Sequence, residues 1–201
     1  MKNENVIEIV RNVDQLMVPQ NFVGIGSTRK VFRFKHWVIK KHLNEIGYLQ
    51  SQNEQKIHHA LKVKGLANYV APILYLDEKI SIQPYVQALP LVNGETFDID
   101  FNTDLRISAN LKTAIEEIDR VHDGFDFLDS SNYGKDERGQ LILIDYGMTK
   151  TLYETKWVPL AEAGVLPQIY FEPCIVCGVE KELRIYGEHD KDRRCYECGK
   201  E

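Results

Sequence analysis

The chain has 201 residues, with 25 Lys and Arg against 30 Asp and Glu, a net charge of −5. At 43% apolar and 27% charged residues it sits near the globular average, which argues against disorder. A chain of this length buries about 70% of its unfolded surface and needs no disulfides to hold a core. The acidic balance gives no support to broad nucleic-acid binding. Apolar runs such as Tyr69–Leu76 fall far short of the ~20 residues of a membrane span. The opening stretch is too short and too acidic to read as a signal peptide, so a soluble, cytoplasmic protein is expected.

Taken in chain order, residues 6–18 have mixed periodicity, fitting a short strand or helix closed by Pro19. Phe22–Phe34 reads as a hairpin: a glycine turn, then the alternation Val31-Phe-Arg-Phe. Trp37-Val-Ile-Lys-Lys is a third strand. Between Leu43 and Lys64 the residues Ile46, Leu49, Ile57 and Leu61 recur at helical spacing. Tyr69–Tyr75 and Lys79–Val86 read as further strands, with Pro84 limiting the second's pairing. Asn93-Gly94 reads as a turn. Leu105–Val121 is expected as a helix with Asp104 near its start. A small hairpin follows, with a turn at 136–139, ending in Asp145-Tyr-Gly147. Trp157–Ile169 is read as one short helix.

The cysteines stand at 174, 177, 195 and 198: C-x2-C, 17 residues, C-x2-C. Each C-x2-C turn brings two sulfurs toward one metal, and two turns close a tetrahedral, structural Zn²⁺ site. Gly178 and Gly199 follow the second cysteine of each pair, and Leu183–Tyr186 reads as one strand of a small ribbon. Paired disulfides are the other reading of the pattern. His189 reads as a loop histidine. Residues 174–201 hold six Lys/Arg against seven Asp/Glu, which disfavours a nucleic-acid ribbon.

Five features stand in a fixed order: the turn Gly24-Ile-Gly26, the strand lysine Lys40, the helix glutamate Glu54, the loop asparagine Asn132, and Asp145 of Asp-Tyr-Gly. In this order, and in the 13-residue interval between Asn132 and Asp145, residues 20–150 resemble the protein-kinase-like superfamily. The resemblance implies an α+β fold in which 1–150 form a nucleotide-binding domain with a truncated helical lobe. Residues 151–173 would be a connector and 174–201 the zinc ribbon.

It further implies that Gly24, Gly26 and Val31 cover ATP, and that Lys40 touches its phosphates, oriented by Glu54. Asn132 and Asp145 would hold Mg²⁺. Gln83-Pro-Tyr-Val86 would be the hinge, with Gln83 as gatekeeper and Pro84 and Val86 beside adenine. Three departures stand out. Arg29 replaces the third glycine. Phe127 occupies the position of the proton-accepting aspartate, leaving Asp126 or Asp129 as candidate base. After Asp145 nothing resembles an Ala-Pro-Glu element. The expected activity is ATP-dependent phosphoryl transfer, with a protein as the expected acceptor. The alternative is an inactive kinase-like module that binds nucleotide or a protein partner.

Overall fold

The computed structural model describes residues 2–92, 95–136 and 138–200. The turn expected at Asn93-Gly94 lies outside the described residues, as does Glu137 of the turn at 136–139. Residues 6–18 resolve as helix: α1 (Lys2–Arg11) and α2 (Val13–Leu16). The fold is α+β, with mostly antiparallel sheet and few long helices, and it is compatible with the architecture the sequence suggests.

Five strands form the first sheet: β1 (Phe22–Ile25), β2 (Arg29–Phe34), β3 (Trp37–His42), β4 (Tyr75–Leu76) and β5 (Ile80–Pro84), in the order β1-β2-β3-β5-β4. Side-chain alternation gives the sheet two different faces. Phe32, Ile39, Ile80 and Ile82 bury with Val6 and Ile9 of α1. Val31, Val38 and Lys40, at the intervening positions, face a cleft on the other side. Of the strand expected at Tyr69–Tyr75, Tyr75 alone lies in a named strand, β4, which runs on to Leu76. Ala67–Tyr69 is a 3₁₀ turn, and Val70 makes a single bridge to Leu143.

α3 (Glu45–Val63) starts where Asn44 Oδ1 accepts the Gly47 amide at 3.1 Å, an N-cap that supplies one of the orphan amides with a partner. Its Ile57 and Leu61 enter the main core with Leu111, Ala114 and Ile118 of α4 (Ala109–His122). α4 begins four residues later than its apolar pattern suggests. Ser108 caps it through Leu111 N, while Asp104 instead chelates Arg106, and Leu105 is 94% exposed. A second sheet joins β6 (Gln87–Ala88), β7 (Tyr133–Lys135) and β8 (Leu141–Leu143) in that order.

After β8 a helical run passes from α5 (Lys150–Leu152) through a π turn (Tyr153–Trp157) into α6 (Val158–Glu162). This corrects the helix expected over Trp157–Ile169: the run starts earlier, and Gln168 already belongs to a strand. β9 (Gln168–Pro173) pairs antiparallel with β10 (Glu180–Ile185), with Tyr170 opposite Leu183 and Phe171 opposite Glu182. The hairpin that carries the cysteines thus begins six residues before Cys174. No helix among the described residues is long and apolar enough to cross a membrane.

Candidate functional site

A cleft of about 520 Å³ opens between the first sheet and the segment 129–145. Gly24 and Gly26 form its roof, Val31 and Val38 one apolar wall, and Lys40, Asn132 and Asp145 its deep end. Gln83, Pro84 and Val86 close the other end, where β5 leaves the sheet. All the residues expected to hold nucleotide therefore border one space, except Glu54, which lies behind Lys40.

The chain reaches this arrangement through a few local contacts. Lys40 stands on a cleft-facing position of β3, and its Nζ donates to Glu54 Oε1 at 3.2 Å and to Ile144 O at 2.8 Å. Glu54 is fully buried on α3. Gly147 lets that helix approach: a Cβ there would lie 2.0 Å from Gln50 O and 2.8 Å from Glu54 Cγ. Tyr146, 2% exposed, fills the core below and donates to Ala71 O at 2.7 Å. Asn132 is tied to the following hairpin because its carbonyl accepts from Ile144 N at 2.8 Å.

Arg29 is not where the sequence reading puts it. Instead of standing over the cleft as part of the glycine turn, it points inward and is 4% exposed. Its Nη1 donates to Glu54 Oε1 at 3.0 Å and its Nη2 to Asp145 Oδ1. Burial opposes the Arg29 charge, but Asp145 and Glu54 outweigh it and keep the guanidinium firmly protonated. Burial and the neighbouring Arg29 push the Lys40 ammonium below its ordinary range. Burial works against the Asp145 carboxylate, yet Arg29 and Lys40 hold it below the usual range. Glu54 Oε2 is buried without a hydrogen-bond partner among the described residues.

The two candidate bases separate. Asp126 has φ = 61°, a left-handed conformation uncommon outside glycine, asparagine and aspartate. Asn132 Nδ2 holds it there, donating to Asp126 O at 2.6 Å and to Oδ2 at 3.3 Å. Burial and the nearby Asp129 raise the Asp126 carboxyl above its usual range. Asp129 is used differently: Oδ1 accepts the Ser131 amide at 2.7 Å and Oδ2 the Thr96 hydroxyl at 3.4 Å, so it caps the turn before Asn132. Phe127 packs against the main core, and its carbonyl accepts from Tyr133 OH.

Asp129 borders the cleft, whereas Asp126 borders a second hollow of about 250 Å³ that Asn132 and Asp145 share with the cleft. Its wall is a ladder of rings, Phe125 on Tyr153 at 4.5 Å and Tyr153 on Trp157 at 5.0 Å. Trp157 Nε1 donates to Ser27 Oγ at 2.9 Å, fastening the helical run to the glycine turn. Composition and periodicity carry no sign of this ladder.

The four cysteine sulfurs lie within 4.8 Å of one another. That is the spacing of four thiolates about one tetrahedral ion, with metal–sulfur bonds near ~2.3 Å, rather than of two separate disulfides. The amides of Cys177, Cys195 and Val176 face Cys174 Sγ and bring its thiol down to about 6, as a metal thiolate needs. A hydrogen bond to Cys195, then burial and hydrogen bonds to Cys174 and Cys177, push Cys198 up to about 12. Four cysteines this close can bind a metal such as zinc. His189 lies outside the cluster.

No protein family and no curated protein matches the chain. Among solved structures it is similar to the Legionella pneumophila Lpg2603 kinase bound to IP6, at 12% identity and a TM-score of 0.41. The match covers 63% of this chain and 47% of that one, so the chain spans about half the length of that kinase.

The site also contains residues that motif reading passes over. Ile169, Phe171 and Glu182, from the cysteine-bearing hairpin, line the same cleft as Lys40 and Asp145. Arg184 Nη1 donates to Gly26 O at 2.5 Å. The alternation of β9 and β10 puts them on one face, but nothing in the sequence says what that face meets.

Proposed function

We propose that the chain is a compact kinase-like phosphotransferase that uses Mg·ATP. The observation that carries this reading is Lys40: a buried ammonium fixed between Glu54 Oε1 and Ile144 O, in a cleft that also presents Asn132 and Asp145. Burying that charge is costly unless it serves an anionic ligand or a fixed partner. An apolar slot between Val31, Val38 and Ile144 leads from it to the chain turn at Pro84–Val86, which suits a flat base.

In this reading Lys40 holds the α- and β-phosphates while the backbone at Gly24 and Gly26 lies over them. An added Cβ at Gly24 would meet nothing within 4 Å beyond its chain neighbours, so there is open space at the turn. Asn132 and Asp145 offer the hard oxygen donors that Mg²⁺ takes, and they would hold it. Bound there, the ion would neutralise phosphate charge. The acceptor hydroxyl attacks the γ-phosphorus, and Asp126 takes its proton. The bond from the γ-phosphorus to the bridging oxygen breaks, and ADP leaves. Asp126 is the base because Asn132 aims it into the hollow beside the cleft, whereas Asp129 is engaged as a cap. We take the acceptor to be a protein hydroxyl.

A second reading rests on Arg29. Its ion pair to Asp145 fills a metal-ligand oxygen, as expected of a module that binds nucleotide or a protein partner without transferring phosphate. The four-cysteine ribbon would then be its interaction surface.

The test is thermal unfolding with and without Mg·ATP, for wild type and Asp145→Ala. Ligand at about 100 times its dissociation constant adds roughly 2.7 kcal/mol, or about 5–10 °C here. A magnesium-dependent shift lost in the variant supports the site, and no shift at saturating nucleotide refutes it. Label transfer from γ-labelled ATP to a generic protein, abolished by Asp126→Asn, separates transferase from binding module.

A further inference from the structure

The hairpin β9–β10 has two faces with different surroundings. Leu183 and Ile185 point one way and bury with Cys174 and Cys195, forming the small core around the sulfur cluster. The intervening positions point the other way. There Phe171 lies opposite Glu182 and Ile169 opposite Arg184, two directly paired couples on one face. Ile169, Phe171 and Glu182 line the cleft, and Arg184 reaches the carbonyl of Gly26 in its roof. A second fastening lies alongside, where Tyr196 stacks on Phe22 of β1 at 4.6 Å and Lys30 Nζ sits 4.8 Å from the Tyr196 ring centroid.

We propose that the cysteine ribbon is the front wall of the nucleotide site, with Phe171 packing on the bound nucleoside and Glu182 accepting hydrogen bonds from the ribose hydroxyls. This inference rests on the nucleotide reading of the cleft given above. Charge decides what Glu182 faces. A carboxylate is an acceptor and repels phosphate, so it is placed against a group that donates. The phosphate end of the cleft belongs to Lys40, and the base end to the backbone at Pro84–Val86. Between them a nucleotide presents its sugar, whose two hydroxyls are donors. Burial, and then Asp129 in the lining of the same cleft, raise the Glu182 carboxyl above its ordinary range. Two carboxylates lining one cleft are better accommodated with hydroxyl donors between them than with an empty or anionic space.

The experiment is calorimetric titration of the zinc-loaded full chain with Mg·ATP and with Mg·2′,3′-dideoxy-ATP. Wild type is compared with Phe171→Ala, Glu182→Ala and, as a control, Tyr170→Ala, whose side chain points away from the cleft. Zinc content and circular dichroism matching wild type establish that each variant is folded. Glu182→Ala is expected to weaken ATP roughly tenfold, the effect of one charge-assisted hydrogen bond, and to leave dideoxy-ATP unchanged. Phe171→Ala is expected to weaken both nucleotides, and Tyr170→Ala neither. Equal affinities for wild type and Glu182→Ala, an equal loss for both nucleotides, or tighter binding by either cleft variant overturns the inference while leaving the nucleotide site standing. Wild type that binds neither nucleotide overturns the nucleotide reading itself, and this inference with it.

Discussion

Arg29 and Asp145, 116 residues apart, are joined by one arm of a guanidinium whose other arm holds Glu54 at 3.0 Å. The fork is divided between two carboxylates, while the second oxygen of Glu54 is buried and unpartnered among the described residues. Turning both arms onto Glu54 would satisfy that orphan with a bidentate pair and release Asp145 to a metal. If Asp145 holds Mg²⁺, as the nucleotide reading proposes, the ion would compete with Arg29 for it.

Arg29→Met tests that competition. Removing one partner of a buried pair costs about 3–5 kcal/mol, and because Lys40 stays on Glu54 the lower figure is expected. That corresponds to roughly 6–12 °C in melting temperature for a chain of this length. The same variant should need less Mg²⁺ for half-maximal ATP binding, because Asp145 no longer has a resident cation. Denaturant unfolding and a magnesium titration at fixed ATP measure the two effects separately. An unchanged magnesium requirement would show that Arg29 does not guard the metal site.

The glycines divide into two groups with opposite expected effects. At Gly147 an added methyl would meet α3 backbone at 2.0 Å, so Gly147→Ala must push the helix and Glu54 away from Lys40. A loss of about 1–3 kcal/mol is expected, together with at least tenfold weaker nucleotide binding. Gly24→Ala meets nothing within 4 Å in the free protein and should melt like wild type. If the turn lies over phosphates, it should nevertheless bind ATP more weakly. Equal ATP affinity for Gly24→Ala and wild type would remove the turn from the site.

In the proposed transfer reaction, Asp126 would set the pH dependence. Its carboxyl is raised by burial and by Asp129, and as a base it must be ionised to accept the hydroxyl proton. Transfer should therefore fail on the acid side at a pH above the ordinary carboxylate range of ~3.9, and recover as the pH rises through the raised value. Asp129→Asn removes the nearby charge and should move this acid limb to lower pH, with Asp129's capping role making some loss of rate unavoidable. A pH–rate profile of label transfer reads the limb. A limb that stays in place in Asp129→Asn would mean that Asp129 does not act on the base electrostatically.

What the sequence makes legible follows from how local each signal is. The Cys174–Cys198 pattern is complete in the chain itself, because spacing alone brings four sulfurs together. The alternation in β2 and β3 shows equally well, since its two faces meet different surroundings. Periodicity alone puts the start of α4 too early, because Leu105 fits the apolar pattern although it faces solvent. The cap at Ser108 carries better information than periodicity there. Arg29 was legible as a departure from a glycine, but its direction was not. Whether a strand-end arginine covers a turn or enters the core depends on Glu54 and Asp145, which reach it only through the fold. Phe171 and Glu182 are invisible for the same reason, since the face of β9–β10 they occupy has no meaning until the hairpin docks on β1.

If the four cysteines hold a metal, that docking couples it to the cleft. The hairpin's small apolar core consists of Leu183, Ile185, Cys174 and Cys195, with Cys198 against it, too little apolar surface to hold it without an ion. Structural zinc in small sites contributes on the order of 10–16 kcal/mol, so removing it should unfold the hairpin. Arg184 would then leave Gly26 O, Tyr196 would leave Phe22, and the front of the cleft would open. Treatment with a strong chelator, or Cys195→Ser, should therefore weaken ATP binding even though no cysteine lines the cleft. The first sheet and its α1-backed core lie apart from the ribbon's small core and should stay folded, so far-ultraviolet circular dichroism should change little. Calorimetry on the metal-free chain, followed by re-addition of zinc, checks the coupling. Metal-free protein that binds ATP as tightly as the zinc form would mean that the ribbon rests on the cleft without contributing to it.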